Sequence, residues 1–539
     1  MLTKADYSDA DFEEVITDAK DVLVLEFWNV EPQLETSIEI ALRLGSKATY
    51  VHGGALLPYS QGYRHSKNRV SPEERAVNML IESGCSGSYS CMKRVSSHKH
   101  VSPHLPFRLP LGESSFNSND DFLKVFGVDC SAGRSILASL IDIENDHLVD
   151  IREHRALAEL FLQSYLIAFR LTSSLLADKP DISHIVLFNG RFPETAGAAD
   201  AAKTLGCNIL FHERSYANEN EFSLTPYPVH DFSRIKDDIV RICSKAHRKD
   251  LDKSVELFRG IAAGNSLLGV QFYGRHNIVR WILKHIPVFR YDRSATVVSR
   301  KTVLFATCSD DEFYFADSGM LSNPYSEWRD QKQAILSICS LCRGMGYSFI
   351  LRIHPHTSTK SLRVASDWVQ VSKAVLDAGG YVYGPQDPTS IYSLIRRSDV
   401  FVTSASQSGI EACALGKPTV NIRESRYNDI GCGAVKIDSL DELTALLQNT
   451  PLLESIVDNS KPEMYSYWMT HQSYPFKHIY FKDQSSYLKG NLIRPEKLRY
   501  FYARKLNRSL RHFASRFIRY AKGSEFIAMF FWHSLCIRE

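Results

Sequence analysis

Short runs of β-branched and aromatic residues alternate along this chain with longer stretches whose apolar positions recur every three to four residues. That alternation predicts parallel α/β sheets. In the first half, residues 21–28, 48–52, 184–189 and 208–213 read as buried strands. Helices are expected over residues 32–44 and 194–205, each followed by a glycine suited to a C-cap, Gly45 and Gly206. Longer helical patterns run over residues 151–177 and 232–263, while residues 60–130, rich in Ser, His and Gly, show little regularity. A second unit begins near residue 300, with strands at 302–307, 348–353, 381–383, 400–403, 419–422 and 435–437. Helices at 327–345, 360–376, 390–397, 409–415 and 440–447 lie between or after them. The Arg-rich stretch 290–300 reads as a linker.

The expected fold is therefore α/β, with two Rossmann-like doubly wound domains facing a cleft and a helical tail. The domains span residues 1–295 and 300–450, a return segment spans 451–490, and the tail spans 491–539. Ligands of such sheets bind beyond the carboxyl ends of the strands, so the residues just after each strand are the ones to inspect.

Composition narrows the picture only a little. A chain of 539 residues exceeds one ordinary core. With 44% hydrophobic and 23% charged residues it has globular composition, and a net charge of +3 gives no reason to expect nucleic acid as a partner. Cys339 and Cys342 form a C-x-x-C within an apolar helical pattern. With no second pair or nearby histidine they read as buried hydrophobes and not as zinc ligands. The first residues carry neither the basic nor the apolar region of a signal peptide, and no apolar stretch reaches the ~18–20 residues that cross a bilayer. A cytoplasmic protein is expected.

Two constellations stand out in the second unit. Leu351-Arg352-Ile353-His354-Pro355-His356 ends an apolar strand in a basic loop, which Pro355 stiffens. His354 would then reach the cleft, able to bond a phosphate or protonate a leaving group. On its own, a His-Pro pair is more often a histidine satisfied by local backbone. Residues 403–418 run from a strand through the hydroxyl-rich turn Ser404-Ala405-Ser406-Gln407-Ser408-Gly409 into a short helix, an arrangement that favours an anion at the helix start. Gly409 would admit a phosphate close to the backbone. Ser408 and Glu411 also have capping-box spacing, which explains the same residues without a ligand.

The order strand–His354-Pro355, then Ser398-Asp399, Ser404, Ser406, Ser408-Gly409, Glu411-Ala412 and Gly416-Lys417-Pro418, resembles capsule polysaccharide biosynthesis glycosyltransferases of GT-B fold. These include Kdo transferases and, more distantly, bacterial sialyltransferases. The helix also resembles that of UDP-N-acetylglucosamine 2-epimerases. The resemblance implies a nucleotide-sugar donor on the second domain, CMP-Kdo or another CMP-sugar, and a glycan or lipid-linked acceptor on the first. It implies that His354 contacts the donor phosphate, that Ser406, Ser408 and Gly409 form the phosphate turn, and that Glu411 holds the ribose. No metal or other cofactor is expected. A nucleotide-sugar 2-epimerase and a non-catalytic capsule assembly or export partner are the rival readings.

In the first domain Asn189, Gly190 and Arg191 follow one strand, and His212, Glu213 and Arg214 end the next. Facing the cleft, Arg191 and Arg214 would form a pair suited to an acidic sugar or a phosphate, with Asn189 and His212 beside them as substrate contacts. Glu213 could serve as the base for an acceptor hydroxyl, or simply pair with an arginine. The glycines of His52-Gly53-Gly54 serve a close approach or a plain turn. Asp310, Asp311 and Glu312 read as a polar loop at the cleft mouth.

Between Arg494 and Lys522 there are ten Lys or Arg and a single acid, with apolar residues on one helical face. Arg504, Arg508, Arg511, Arg516 and Arg519 line the other faces. This pattern is expected to bind the anionic surface of the inner membrane peripherally, from the cytoplasmic side.

Overall fold

The computed structural model describes residues 21–28, 33–57, 80, 88–91, 118–126, 130–144, 146–147, 149–215, 220–256, 258, 260, 301–309, 328, 331–482, 485–488 and 491–492. The first sheet has seven strands in the order β13-β6-β5-β4-β1-β2-β3. They are β1 (Asp21–Glu26), β2 (Ala48–His52), β3 (Ser88–Cys91), β4 (Ile182–Phe188), β5 (Asn208–Arg214), β6 (Glu221–Thr225) and β13 (Ser473–Pro475). From β3 to β5 every pairing is parallel; β6 and β13 each add on antiparallel. The second sheet has six strands, all parallel, in the order β12-β11-β10-β7-β8-β9. They are β7 (Thr302–Ala306), β8 (Ser348–Arg352), β9 (Tyr381–Tyr383), β10 (Val400–Thr403), β11 (Thr419–Asn421) and β12 (Ala434–Lys436). In each sheet the chain moves outward from its first strand, then returns to the other side of it. The order reverses between β1 and β4, and again between β7 and β10.

The continuous apolar strands of the second sheet follow from burial on both faces. Val303 and Phe305 of β7 point into one core, with Ile335 and Ile338 of α8 (Gln331–Gly344), Trp368 and Val375 of α9 (Leu362–Asp377), and Leu443 of α12 (Leu440–Gln448). Leu304 and Ala306 point the other way, towards Leu394 and Ile395 of α10 (Ile391–Arg397) and Ala412 of α11 (Ser408–Ala414). Cys339 and Cys342 lie within the first of these cores.

Helix α1 (Gln33–Leu44) covers one face of the first sheet. On the other, α4 (Arg155–Asp178) and α5 (Pro193–Thr204) pack Ala168, Leu176, Ala198 and Ala202 against Leu23, Leu25, Ile185 and Phe211. The helices touch closely because residue 197 is glycine: a Cβ there would lie 2.3 Å from the carbonyl oxygen of Tyr165. By length and composition α4 is apolar enough to cross a membrane, contrary to the sequence expectation of no such stretch. Of its apolar window 39% is buried in this body, Phe161, Ala168 and Thr172 wholly so.

Three differences from the sequence pattern matter. Residues 60–130 include β3 and α2 (Asn119–Phe126), which precedes the unforeseen α3 (Ala132–Glu144). The helix expected over 232–263 breaks into α6 (Phe232–Cys243) and α7 (Arg248–Ser254), because Ser244 to Ala246 close a turn and His247 is extended. The return segment divides at 475. Helices α13 (Thr450–Asp458) and α14 (Pro462–His471) and strand β13 belong with both sheets in one compact unit ending at Pro475. Phe476 onward forms a second unit, whose β14 (Ile479–Lys482), β15 (Ser485–Leu488) and β16 (Asn491–Leu492) make an antiparallel sheet. The basic tail, with Arg504, Arg508, Arg511, Arg516 and Arg519, lies outside the described residues, as do the acids at 310–312 and the linker at 290–300.

Within the large unit the two bodies are joined. Tyr227, Phe232, Ile235 and Ile239 pack with Ile410, Tyr427, Tyr465 and Trp468. Asp146 of the first body accepts from Ser361 Oγ at 2.9 Å and from Arg363 Nε and Nη2 at 3.0 and 2.8 Å. Lys236 pairs with Glu424.

Candidate functional site

At the carboxyl edge of the second sheet, three strand exits are tied together where the order reverses. The backbone N–H of His354, after β8, donates to Thr307 Oγ1 at 2.7 Å, and Thr307 follows β7. Thr403 Oγ1, ending β10, donates to the Ala306 carbonyl at 2.7 Å. The His354 loop and the Ser404–Gly409 turn are thereby set on either side of β7, at the position where open α/β sheets bind ligands.

His354 caps the short 3-10 turn Pro355–Thr359, its Nδ1 accepting the His356 N–H at 3.3 Å. The local-backbone explanation thus accounts for one ring nitrogen. With Nδ1 an acceptor, the neutral ring carries its proton on Nε2, the form that donates to an oxyanion.

The turn after β10 differs from the capping-box expectation. Ala405 sits at φ 66° and Gln407, not Ser408, is the residue before the helix; Ser408 is already its first helical residue. The Ser408 N–H and hydroxyl both donate to Ser406 Oγ, at 3.4 and 3.0 Å. Glu411 does not take the Ser408 N–H, which goes to Ser406; its Oε2 accepts from the Tyr392 hydroxyl at 3.0 Å. Burial raises its carboxyl from the usual 4.5 to about 7, against the Tyr392 and Gln407 hydrogen bonds. The space beside Gly409 is also not where a phosphate would lie, because the Tyr427 hydroxyl occupies it. That hydroxyl donates to the Ser406 carbonyl and so holds the turn from behind. Ser404 is fully buried and its hydroxyl has no protein partner, which marks a polar atom awaiting one.

At the matching edge of the first sheet, Asn189 follows β4 at φ 56°, an uncommon backbone for a residue with a side chain. Its N–H donates to the His212 carbonyl at 3.1 Å, and its amide donates to Glu213. Burial raises the Glu213 carboxyl, while Asn189, the Arg214 N–H and the charges of Arg191 and Arg426 draw it back down. Arg191 pairs with Asp142 at 3.5 Å and lies over the Phe192 ring at 4.8 Å.

Two of the expected substrate contacts are placed elsewhere. His212 is 1% exposed, its Nε2 2.9 Å from Ser37 Oγ, and Ser37 donates to Glu26. Burial holds this imidazole neutral, down to about 3, and lifts Glu26 to about 7. These groups form a polar plug beneath the site and are not reachable by substrate. Arg214 follows Glu213 directly in β5, so the pleat turns it to the opposite face. The second guanidinium acting on Glu213 is therefore Arg426, from the loop after β11. Neither Arg426 nor His230, Tyr392 and Tyr427 carries a local sequence signal, since each matters only through a distant partner. Glu26, a lone acid in an apolar strand, did carry one. Among the described residues no three metal-ligating side chains converge.

No family model matches the chain, and no curated protein matches it in sequence. Solved structures do resemble it. One is the KpsC β-Kdo 2,7 transferase of Thermosulfurimonas dismutans, at 12% identity and TM-score 0.34, over 60% of this chain and 85% of that one. Another is the UDP-GlcNAc 2-epimerase of Neisseria meningitidis, at 12% identity and TM-score 0.27, over 84% and 98%. A third is the UDP-forming α,α-trehalose-phosphate synthase of Burkholderia vietnamiensis, at 10% identity and TM-score 0.32, over 84% and 95%. These are likenesses of fold and nothing finer. The two sheets, each reversing order beside its first strand, give the chain two Rossmann-like doubly wound bodies.

Proposed function

We propose that the chain transfers a sugar from a nucleotide-sugar donor to a glycan or lipid-linked acceptor. One observation carries this reading: His354 and the Ser404–Gly409 turn are tied to either side of β7 at the switch point of a parallel sheet, with Glu411 one turn behind. His354 Nε2–H and the serine hydroxyls then face the donor phosphates and stabilise charge on the departing nucleotide. Glu411 accepts a ribose hydroxyl. Across the cleft Glu213 acts as base for the acceptor hydroxyl, burial raising the proton affinity of its carboxylate. The reading uses no resident metal or other cofactor. A CMP-sugar such as CMP-Kdo is the donor the sequence resemblance implies. The basic tail would hold the enzyme to the cytoplasmic face of the inner membrane, where lipid-linked acceptors are made.

A thermal-shift panel of CMP, UDP, GDP and dTDP tests the site, because a ligand binding only the folded chain raises its apparent stability. One nucleotide should stabilise wild type and fail to stabilise His354→Ala. No shift with any of the four, or equal shifts in both proteins, rejects the assignment. Incubating the chosen nucleotide's sugar conjugates then separates transfer to a glycan from inversion at C2.

A further inference from the structure

We propose that the two bodies jointly bind a hydroxylated anion, a sugar acid or a sugar phosphate, between Arg191 of the first and Arg426 of the second, with Asn189 reading a neighbouring hydroxyl. The proposal deepens the sugar-transfer reading by naming the chemistry of the molecule in the first body's half of the cleft.

Geometry brings the parts together. Asn189 and Arg191 follow β4, and the Asn189 amide donates to Glu213 at the end of β5. On the other side, Arg426 lies over Phe232 at 5.3 Å, two residues beyond His230, and Lys236 binds both Glu424 and Asp429 of the same loop, the latter at 3.8 Å. The entry to α6 is thus fastened to the loop that carries Arg426. The charges of Arg191 and Arg426 act on both Glu213 and His230, so the four groups share one neighbourhood.

On the first body's side of it, two polar atoms are left over. Asn189 is 7% exposed and its Oδ1 has no partner, although its amide nitrogen does. The Nε of Arg191, whose side chain is 15% exposed, is also buried and unpartnered. Buried polar atoms seldom stay unsatisfied, and at a strand end of a switch point they mark ligand contacts. One needs an acceptor and the other a donor. A ligand with an anionic oxygen beside a hydroxyl supplies both.

Charge points the same way. Both arginines act on the Glu213 carboxyl and draw it down against its burial. Asp142 offsets part of the Arg191 charge from a half-exposed position. His230 is held neutral by burial and by the same two arginines, so it adds no positive charge. The two guanidiniums lie in a partly desolvated cleft, where a carboxylate or phosphate binds arginine well.

The test uses calorimetric titration of the full chain with glucuronate, glucose 6-phosphate and glucose. At least one of the anions should bind, glucose should not, and Arg191→Gln and Arg426→Gln should each weaken that binding about ten-fold or more. Arg191→Lys, which keeps charge but loses the planar fork, should fall between. Preference for glucuronate or for the phosphate identifies the source of the anion. Equal binding of glucose, no binding of either anion at millimolar concentration, or unchanged affinity in both folded glutamine variants overturns the proposal. Nucleotide stabilisation of the same variants is measured in parallel. If it persists while anion binding fails in wild type, this site falls and the donor site stands.

Discussion

The hydroxyl of Tyr427 stands where residue 409 would carry a side chain: a Cβ on Gly409 would lie 2.3 Å from it and 3.1 Å from Thr403 Cγ2. The glycine in the Ser408-Gly409 step is thus required by packing behind the turn. Gly409→Ala should destabilise the protein by about 1–3 kcal/mol, as overpacking does, and weaken nucleotide binding by shifting the turn. Adding Tyr427→Phe should restore part of the stability, since the clash is chiefly with the hydroxyl. Urea denaturation of the single and double variants checks this; additive losses would show that the two residues do not oppose each other.

Removing the imidazole that donates from Nε2 should be costly for turnover and cheap for folding. His354→Ala loses the cap on the 3-10 turn, worth about 1 kcal/mol, yet should lower transfer by about 100-fold or more. Circular dichroism with a donor-turnover assay separates the two effects. Near-normal turnover in a folded variant removes His354 from the site.

Glu411 and Glu26 both titrate near 7 in the folded chain, above their usual 4.5. Between those values the unfolded chain gives up its protons first, so folding stability should fall as pH rises from about 4.5 to 7, then level off. Each group contributes at most about 3 kcal/mol to that fall. Glu411→Gln, which stays neutral, should flatten the profile measured by urea midpoint from pH 5 to 8. The same variant should weaken nucleotide binding by more than about 1 kcal/mol if the carboxyl holds the ribose. A stability profile parallel to wild type would show that Glu411 is ionised throughout.

Asp146 is 8% exposed and meets Arg363, which is 49% exposed, and Ser361 across the two bodies. Asp146→Ala should cost about 1–3 kcal/mol of stability, because it leaves those donors underused. Arg363→Ala should cost less, Asp146 keeping its Ser361 bond. A double-mutant cycle should give a coupling of about 0.5–3 kcal/mol; a coupling near zero would mean the pair is solvated.

The basic tail should carry liposome binding. Each Lys or Arg near an anionic surface contributes about 1 kcal/mol, less with distance and salt. Because β16 runs to Leu492, the informative truncation ends there. That protein should stay folded, bind nucleotide and no longer sediment with phosphatidylserine vesicles. Undiminished sedimentation would place the membrane contact elsewhere, and aggregation would make the tail a packed element.

The parallel strands were legible because strands buried on both faces have no polar positions to confuse their reading, as in β7 and β10. The edge pair β6 and β13 was not, since an antiparallel edge strand is defined by its partner more than by its own residues. The break between α6 and α7 was hidden because Lys245 and Ala246 are good helix formers. At the site, His354, Glu213 and Asn189 could be found by position alone, each lying at or just beyond a strand end. His212 misled for the same reason: it lies near the end of β5, but the pleat turns it inward to Ser37. The charge of Arg426 acts on His230 from the other body, and no periodicity records such a relation.

Strand β13 pairs Ser473 with Ser223, so the first sheet receives its last strand about 250 residues after the one it joins. During synthesis the outer edge of β6 therefore stays open until the whole second body has left the ribosome. Open strand edges recruit other chains. The nascent protein is most exposed to misassembly in this interval, and a chain stopped anywhere before residue 473 would keep that edge permanently.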